Sequence, residues 1–313
     1  MEILAGLIFI LYCLVHSNQA KKEYKYKNQI LPASEGEFPH HASLQVNGSH
    51  ICSGSLISLT HIITSGYCTR ELMKHSNDES SILSVEVGSI KLNEGQSYPI
   101  KRLSYKNDYE FYNDDPSSLF ISANNIGMVT LNIPVEESAL MRPIELGPTF
   151  EPPSSNSAVV VSNFGNSLSS KFLSPSLQKT VYRVVNGEKC DKYYYHSLKR
   201  RILPSQICVK LDAGHGICQA DEGAPLIQRN KLIGVFSTGN SRCSEGHPQI
   251  YTNILSFAPY IHHEWIYNIS NEEVDAISPA VAKNFIFESS ANLEETTDHE
   301  ESTIETNFYD SQT

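Results

Sequence analysis

Short runs rich in β-branched residues recur along this chain, at residues 50–59, 62–65, 84–87, 126–131, 158–162, 179–185, 232–237 and 250–252. Turn-forming residues separate them, a pattern that predicts an all-β fold. The runs lie within roughly 245 residues, a length that a single all-β unit can reach. What flanks them is different in kind. Residues 3–15 are nearly continuously apolar and are followed by His16-Ser-Asn-Gln-Ala20. That length suits a signal-peptide core and is too short to span a bilayer. Residues 1–20 are therefore expected to be a signal peptide, cut after Ser17 or Ala20, with residues 21–32 forming a short N-terminal lead. The mature chain is expected to be secreted, extracellular and free of the membrane.

Charge marks the other end. Residues 271–313 hold 11 acidic residues and 1 basic residue, a net of −10. Taking that from the whole-chain −11 leaves −1 for residues 1–270. A nearly neutral body lacks the basic face that nucleic acid requires. The acidic, Thr-rich tail buries too little apolar surface to offset its chain entropy, so 271–313 is expected to be disordered.

Seven cysteines are present, and Cys13 leaves with the leading segment. The remaining six are an even number suited to an oxidising compartment, with 15 pairings open to them. No C-x-x-C or His-rich ligand spacing appears, so neither a metal nor another cofactor is implied. Asn47-Gly-Ser49 and Asn268-Ile-Ser270 have the form of glycosylation acceptors.

The motifs are more specific. Cys218-Gln-Ala-Asp-Glu-Gly-Ala-Pro-Leu226 resembles C-x-G-D-S-G-G-P-L, and Cys52-Ser-Gly-Ser-Leu56 resembles C-G-G-S-L. Thr64-Ser-Gly-Tyr-Cys68 resembles T-A-A-H-C, Asn125-Ile-Gly-Met-Val129 resembles D-I-A-L-[IL], and Ala33-Ser-Glu-Gly-Glu-Phe-Pro39 resembles A-x-x-G-E-F-P. In order and number these resemble the trypsin/chymotrypsin-like serine proteases over residues 33–267. The resemblance implies two packed six-stranded Greek-key β-barrels, about 33–147 and 158–255. A strap at 148–157 would join them, and a terminal helix would carry Trp265-Ile266. It also implies the disulfides Cys52–Cys68, Cys190–Cys208 and Cys218–Cys243.

At the reactive positions the chain departs from the pattern. Tyr67 stands in the place of the His, Asn125 in that of the Asp, and Glu222 in that of the nucleophilic Ser. Acyl transfer of this type needs a hydroxyl, an imidazole base and an orienting carboxylate. A phenol with a pKa of about 10 is a poor base near neutrality. The expectation is a pseudoprotease, not an enzyme. The positions around the cleft have changed as well. Ala220 replaces the oxyanion-hole Gly, and Gly216 lies at the pocket base, where no Asp attracts Lys or Arg. Gln249 replaces a pocket-wall Gly, and Ser237-Thr-Gly239 resembles the substrate-binding S-W-G.

The resemblance also implies an activation start, which falls on Lys27-Asn-Gln-Ile30 and lacks the I-V-G-G sequence. Asp221, which would pair with the freed ammonium, is retained. So are His50 and Ser43, which match residues that hold this Asp in uncleaved precursors. A permanent precursor-like lock of Ser43, His50 and Asp221 is therefore expected. The functional expectation is a secreted homologue that binds an extracellular protein, whether a protease, an inhibitor or a receptor. The alternatives are a hydrolase of non-standard mechanism and a bulk secreted component with no specific partner.

Overall fold

In a computed structural model of the chain, residues 30–112, 121–147, 153–165, 174–198, 201–210, 221–238 and 248–269 are described. β1 (Ile30–Pro32) is followed by β2 (His41–Val46), β3 (Ser49–Leu56) and β4 (His61–Thr64). Then come α1 (Gly66–His75), β5 (Leu83–Val87), β6 (Gln96–Tyr105), β7 (Glu110–Tyr112), β8 (Ile121–Ala123) and β9 (Gly127–Leu131). Strands β2, β3, β4, β9, β6 and β5 close, in that order, into an antiparallel barrel. Asn47 and Gly48 turn β2 into β3 with φ of 51° and 74°. Two successive positive φ values match the strand twist of a tight hairpin, and Asn-Gly is the pair that adopts them most readily.

The second half contains β10 (Glu145–Leu146), β11 (Ala158–Asn163), β12 (Gln178–Val184), α2 (Gly187–Leu198) and β13 (Gln206–Lys210). It continues with β14 (Pro225–Gln228), β15 (Lys231–Thr238) and β16 (Gln249–Asn253), a 3-10 turn (Ile254–Phe257) and α3 (Ala258–Ile269). Here β12, β11, β14, β15, β16 and β13 follow one another, and a β12–β13 pairing closes the ring. Two strands bond to this barrel from outside it: β1 runs antiparallel to β12, and β10 runs parallel to β15. The expected pair of six-stranded barrels with a C-terminal helix is therefore the architecture observed. Several strands, β2, β6, β13 and β14 among them, were not evident as β-branched runs. Their sequences mix polar residues and proline with apolar ones, and partner strands determine their conformation.

Strand β2 links fold to site. Period-2 alternation sends Ala42, Leu44 and Val46 into the first barrel's core, beside Leu56, Ile62, Leu72, Val85 and Val129. His41, Ser43 and Gln45 point the other way, and they too are buried. The outer face of β2 is thus a buried polar layer, and each polar group in it needs a partner. The second core gathers Val161, Tyr182, Val209, Leu226, Phe236 and Tyr251.

Two devices fasten the helices. Ser65 caps α1 by accepting from the Cys68 N–H, and the Cys52–Cys68 disulfide ties α1 to β3. Cys190–Cys208 joins α2 to β13. Cys218 and Cys243 lie outside the described residues. At the C-terminus, α3 lies against the first barrel. Trp265 stacks on His61 with ring centroids 5.9 Å apart. Arg102 pairs with Glu264 at 2.6 Å, and Ser104 meets Tyr260 at 3.2 Å. No described helix is long and apolar enough to cross a membrane.

Burial, and then the Arg102 charge, hold the His61 imidazole down to about 4; Glu264 works in the opposite direction. His61 is therefore neutral in the fold, while in the unfolded chain it takes up a proton below about 6.5. Unfolding gains that proton, so stability falls as pH drops from about 6.5 towards 4. The expected loss is on the order of 3 kcal/mol for a complete shift of this size. Urea midpoints measured across this range should decline with acid, and less steeply in His61→Asn. An identical slope in the two proteins would contradict the assignment.

Candidate functional site

The turn Asp221-Glu222-Gly223-Ala224 lies where the two barrels meet. Ala224 N–H donates to Asp221 O at 3.0 Å, and Gly223 N–H to Phe236 O at 3.3 Å. Across the junction, Ser53 N–H donates to Glu222 O at 2.9 Å. Gly223 has φ +79°, and a Cβ there would fall 2.3 Å from Ser53 O. Glycine is therefore required both for the turn and for the close approach of the first barrel. This backbone fixes the position of Glu222. One of its carboxyl oxygens, Oε2, is buried and has no hydrogen-bond partner among the described residues. Burial first, and the Asp221 charge second, push the Glu222 carboxyl well above the usual carboxylate range.

Tyr67 and Asn125 stand beside each other. Tyr67 N–H donates to Asn125 Oδ1 at 2.9 Å. Asn125 Nδ2 donates to Ser237 Oγ at 3.1 Å and to Ser237 O at 3.3 Å, and Asn125 O accepts from Thr252 Oγ1. Asn125 is buried; its side-chain amide joins α1 to β15, and its main-chain carbonyl reaches β16. The donation to a carbonyl is something an aspartate could not make. Tyr67 is 36 % exposed. Burial raises its phenol pKa further, as do the nearby Glu71 and Glu222 charges. Tyr67, Asn125, Glu222 and Ser237 are thus gathered in one crevice. Gln249 is buried in β16. Gly216, Ala220 and Gly239 lie outside the described residues. Asn47 sits exposed in the β2–β3 turn, and Asn268 falls within α3.

Beneath the crevice, Asp221 is buried and held from several directions. His50 Nε2 donates to Oδ1 at 3.0 Å, while His50 Nδ1 meets Ser43 Oγ at 2.8 Å. Phe164 N–H donates to Oδ2 at 2.9 Å, and Ser53 Oγ also donates to Oδ2. His41 Nε2 lies 2.9 Å from Ser53 Oγ, and His41 Nδ1 lies 3.0 Å from Ser162 Oγ. Opposing desolvation, the imidazoles and the serine hydroxyl hold the Asp221 carboxyl below its ordinary range. An imidazole thus does sit beside a hydroxyl between the barrels. Ser53 is fully buried, and its proton goes to Asp221, so it is not poised as a nucleophile. The sequence reading missed His41, Ser53, Ser162 and Phe164. Its one signal was Ser53, which stands where C-G-G-S-L has Gly.

A family model described as Trypsin matches residues 28–261. The chain is 29% identical to Trypsin alpha-4 of Lucilia cuprina, over 72% of this chain and 81% of that one. It is 30% identical to Trypsin alpha of Drosophila melanogaster, over 75% and 83%. It is 27% identical to Chymotrypsin-2 of Vespa crabro, over 73% and 95%. A solved structure of neuropsin, a serine protease from mouse brain, superimposes with a TM-score of 0.63 at 20% identity, covering 76% of this chain and 99% of that one. These findings overturn the expectation that the chain is not an enzyme. Its relatives are named as trypsins and chymotrypsins, and its fold is that of a serine protease. A carboxyl at Glu222 cannot form a seryl ester, but that does not exclude catalysis as such.

The Glu222 carboxyl is neutral in the fold at pH values where the unfolded chain carries it ionised. Unfolding therefore releases a proton, and stability is lost as pH rises above about 4.5. Glu222→Gln removes that loss. Its midpoint of thermal unfolding at pH 7 should rise by about 2–4 °C or more, roughly 1 kcal/mol for a domain of this size. The gain should vanish near pH 4. An equal gain at both pH values, or a loss at pH 7, would show that the carboxyl is ionised in the fold.

Proposed function

The chain belongs to the trypsin family, and on that premise we propose that it is a secreted protein acting by binding another extracellular protein, as a cofactor, decoy or regulator of proteolysis or immunity. One observation carries this reading. The main chain of Glu222 is held as the turn requires, by Ser53 N–H, but the side chain offers a buried carboxyl in place of a hydroxyl. Asp221 supports the same reading, because it is engaged by His50 rather than held ready for a new ammonium.

An aromatic rim lies near the crevice. Tyr105 and Tyr109 pack edge to face at 6.4 Å, and the Arg70 guanidinium lies over Tyr109 at 5.2 Å. Tyrosine and arginine are enriched where proteins meet. Partners of the expected kinds are a protease, an inhibitor or a receptor. The Cys52–Cys68 and Cys190–Cys208 disulfides favour an oxidising compartment. Asn47 is the favoured glycan acceptor. Its Oδ1 accepts from Ile82 N–H at 2.8 Å, while its amide nitrogen, the atom a glycan joins, has no partner among the described residues. A glycosidase-sensitive mass that Asn47→Gln abolishes is expected; a mass unaffected by the glycosidase would refute it.

The named relatives favour a second reading, a hydrolase of non-standard mechanism with the neutral Glu222 carboxyl as its acid. Three measurements on the purified protein separate the two: a serine-directed covalent probe, a broad peptide library, and crosslinking in the fluid that contains the protein. The binding reading expects no labelling by the serine-directed probe at position 222, which carries a carboxyl and no hydroxyl. It also expects a saturable one-to-one crosslinked complex that persists in Glu222→Gln. Turnover that Glu222→Gln abolishes, without any such complex, would establish the second reading instead.

A further inference from the structure

We propose that Ser53 and His41 form a second clamp on Asp221, one that keeps the carboxylate in its precursor-like position even when the His50 arm is released. Neither residue belongs to the Ser43–His50–Asp221 set, and the resembling motif has Gly in the place of Ser53.

Hydrogen accounting defines the clamp. A carboxylate only accepts, so the Ser53 hydroxyl hydrogen is committed to Asp221 Oδ2. Ser53 Oγ can then meet His41 only as an acceptor, and His41 Nε2 must carry a proton. His41 Nδ1 is left as an acceptor for the Ser162 hydroxyl. One tautomer satisfies the whole chain Ser162 → His41 → Ser53 → Asp221. The other arm has the same polarity: Gln45 Nε2 donates to Ser43 Oγ, Ser43 to His50 Nδ1, and His50 Nε2 to Asp221 Oδ1.

The two arms end on different carboxylate oxygens and arise from different surroundings. The His50 arm lies within the first barrel. The His41 arm passes from β11 of the second barrel, at Ser162, through β2 and β3 of the first. Phe164 N–H adds a main-chain donor to Oδ2. Ser53 and Ser162 are fully buried, His41 is 4% exposed and Asp221 5%. A new ammonium seeking Asp221 would have to displace one arm. Displacing the second would leave the Ser53 hydroxyl hydrogen, whose oxygen already accepts from His41, without its acceptor in a buried interior, a costly outcome. The Phe164 ring packs against both imidazoles, at 5.3 Å from His41 and 5.4 Å from His50, and closes the side. Burial holds the His41 imidazole down to about 4, so it is neutral near pH 7. The titratable groups facing it are Asp221, His50 and His40.

The test uses the full-length protein with a unique cleavage sequence at residues 23–26, so that cutting after residue 26 frees the α-amino group of Lys27, where the activation start would fall. Amine labelling across pH then reads whether that group is captured. In the otherwise unchanged protein and in His50→Ala, the amine should titrate normally, at about 8, and label freely. In the Ser53→Gly/His50→Ala double variant, labelling at pH 8 should fall at least tenfold as Asp221 takes the ammonium. Capture in His50→Ala alone, or none in the double variant, overturns the proposal. A second measurement needs no substitution. Imidazole ¹⁵N–¹H spectra should show His41 protonated at Nε2 alone from pH 7 to 5. An Nδ1–H form, or a charged ring in that range, would also overturn it. Neither readout involves partner binding, so failure here is distinct from failure of the proposed function.

Discussion

A carboxylate buried between two barrels must be satisfied or it destabilises the fold, and Asp221 imposes that demand on everything around it. Its two oxygens draw donors from His50, Ser53 and the Phe164 main chain, and those donors are themselves fixed by Ser43, Gln45, His41 and Ser162. The residues come from β2, β3, β11 and the residue that follows it, and the turn before β14. The polar face of β2 is therefore not a solvent face turned inward by accident. It is one half of an inter-barrel hydrogen-bond network whose other half is supplied by the second barrel.

The crevice above depends on the same turn. With Asp221 directed inward, Gly223 allows the main chain to pass against Ser53, and Glu222 is placed where its carboxyl is partly starved of partners. Asn125 shows how a changed residue becomes structural. Its oxygen accepts from Tyr67 N–H while its nitrogen donates to Ser237. An aspartate would set a carboxylate oxygen against the Ser237 carbonyl. The amide thus uses both its oxygen and its nitrogen, a pairing that a carboxylate could not make.

Much of the architecture was legible in the sequence, because short β-branched runs and ordered motifs report on local conformation and on family. The disulfides Cys52–Cys68 and Cys190–Cys208 followed from the resemblance and are formed. Strands such as β2 and β6 were less legible. HASLQV carries polar residues at every second position, and nothing local says that those positions are buried. The site was legible as a set of positions, Tyr67, Asn125 and Glu222, but not as a set of contacts. To infer from those positions that the chain is no enzyme went further than residue identity allows, given relatives named as trypsins and chymotrypsins.

The sequence alone determined which groups are available: a phenol, an amide and a carboxyl at three motif positions, a retained Asp221, and Ser53 in place of a glycine. It also determined the strand periodicity that separates Leu44 from Ser43. Only the tertiary structure decided which of those groups meet. His41 and Ser162 lie 121 residues apart, and Ser53 and Asp221 lie 168 apart. Their hydrogen bonds depend on the register of two closed barrels pressed together. Register is a cooperative property of every strand pair at once, so no local stretch of chain encodes it.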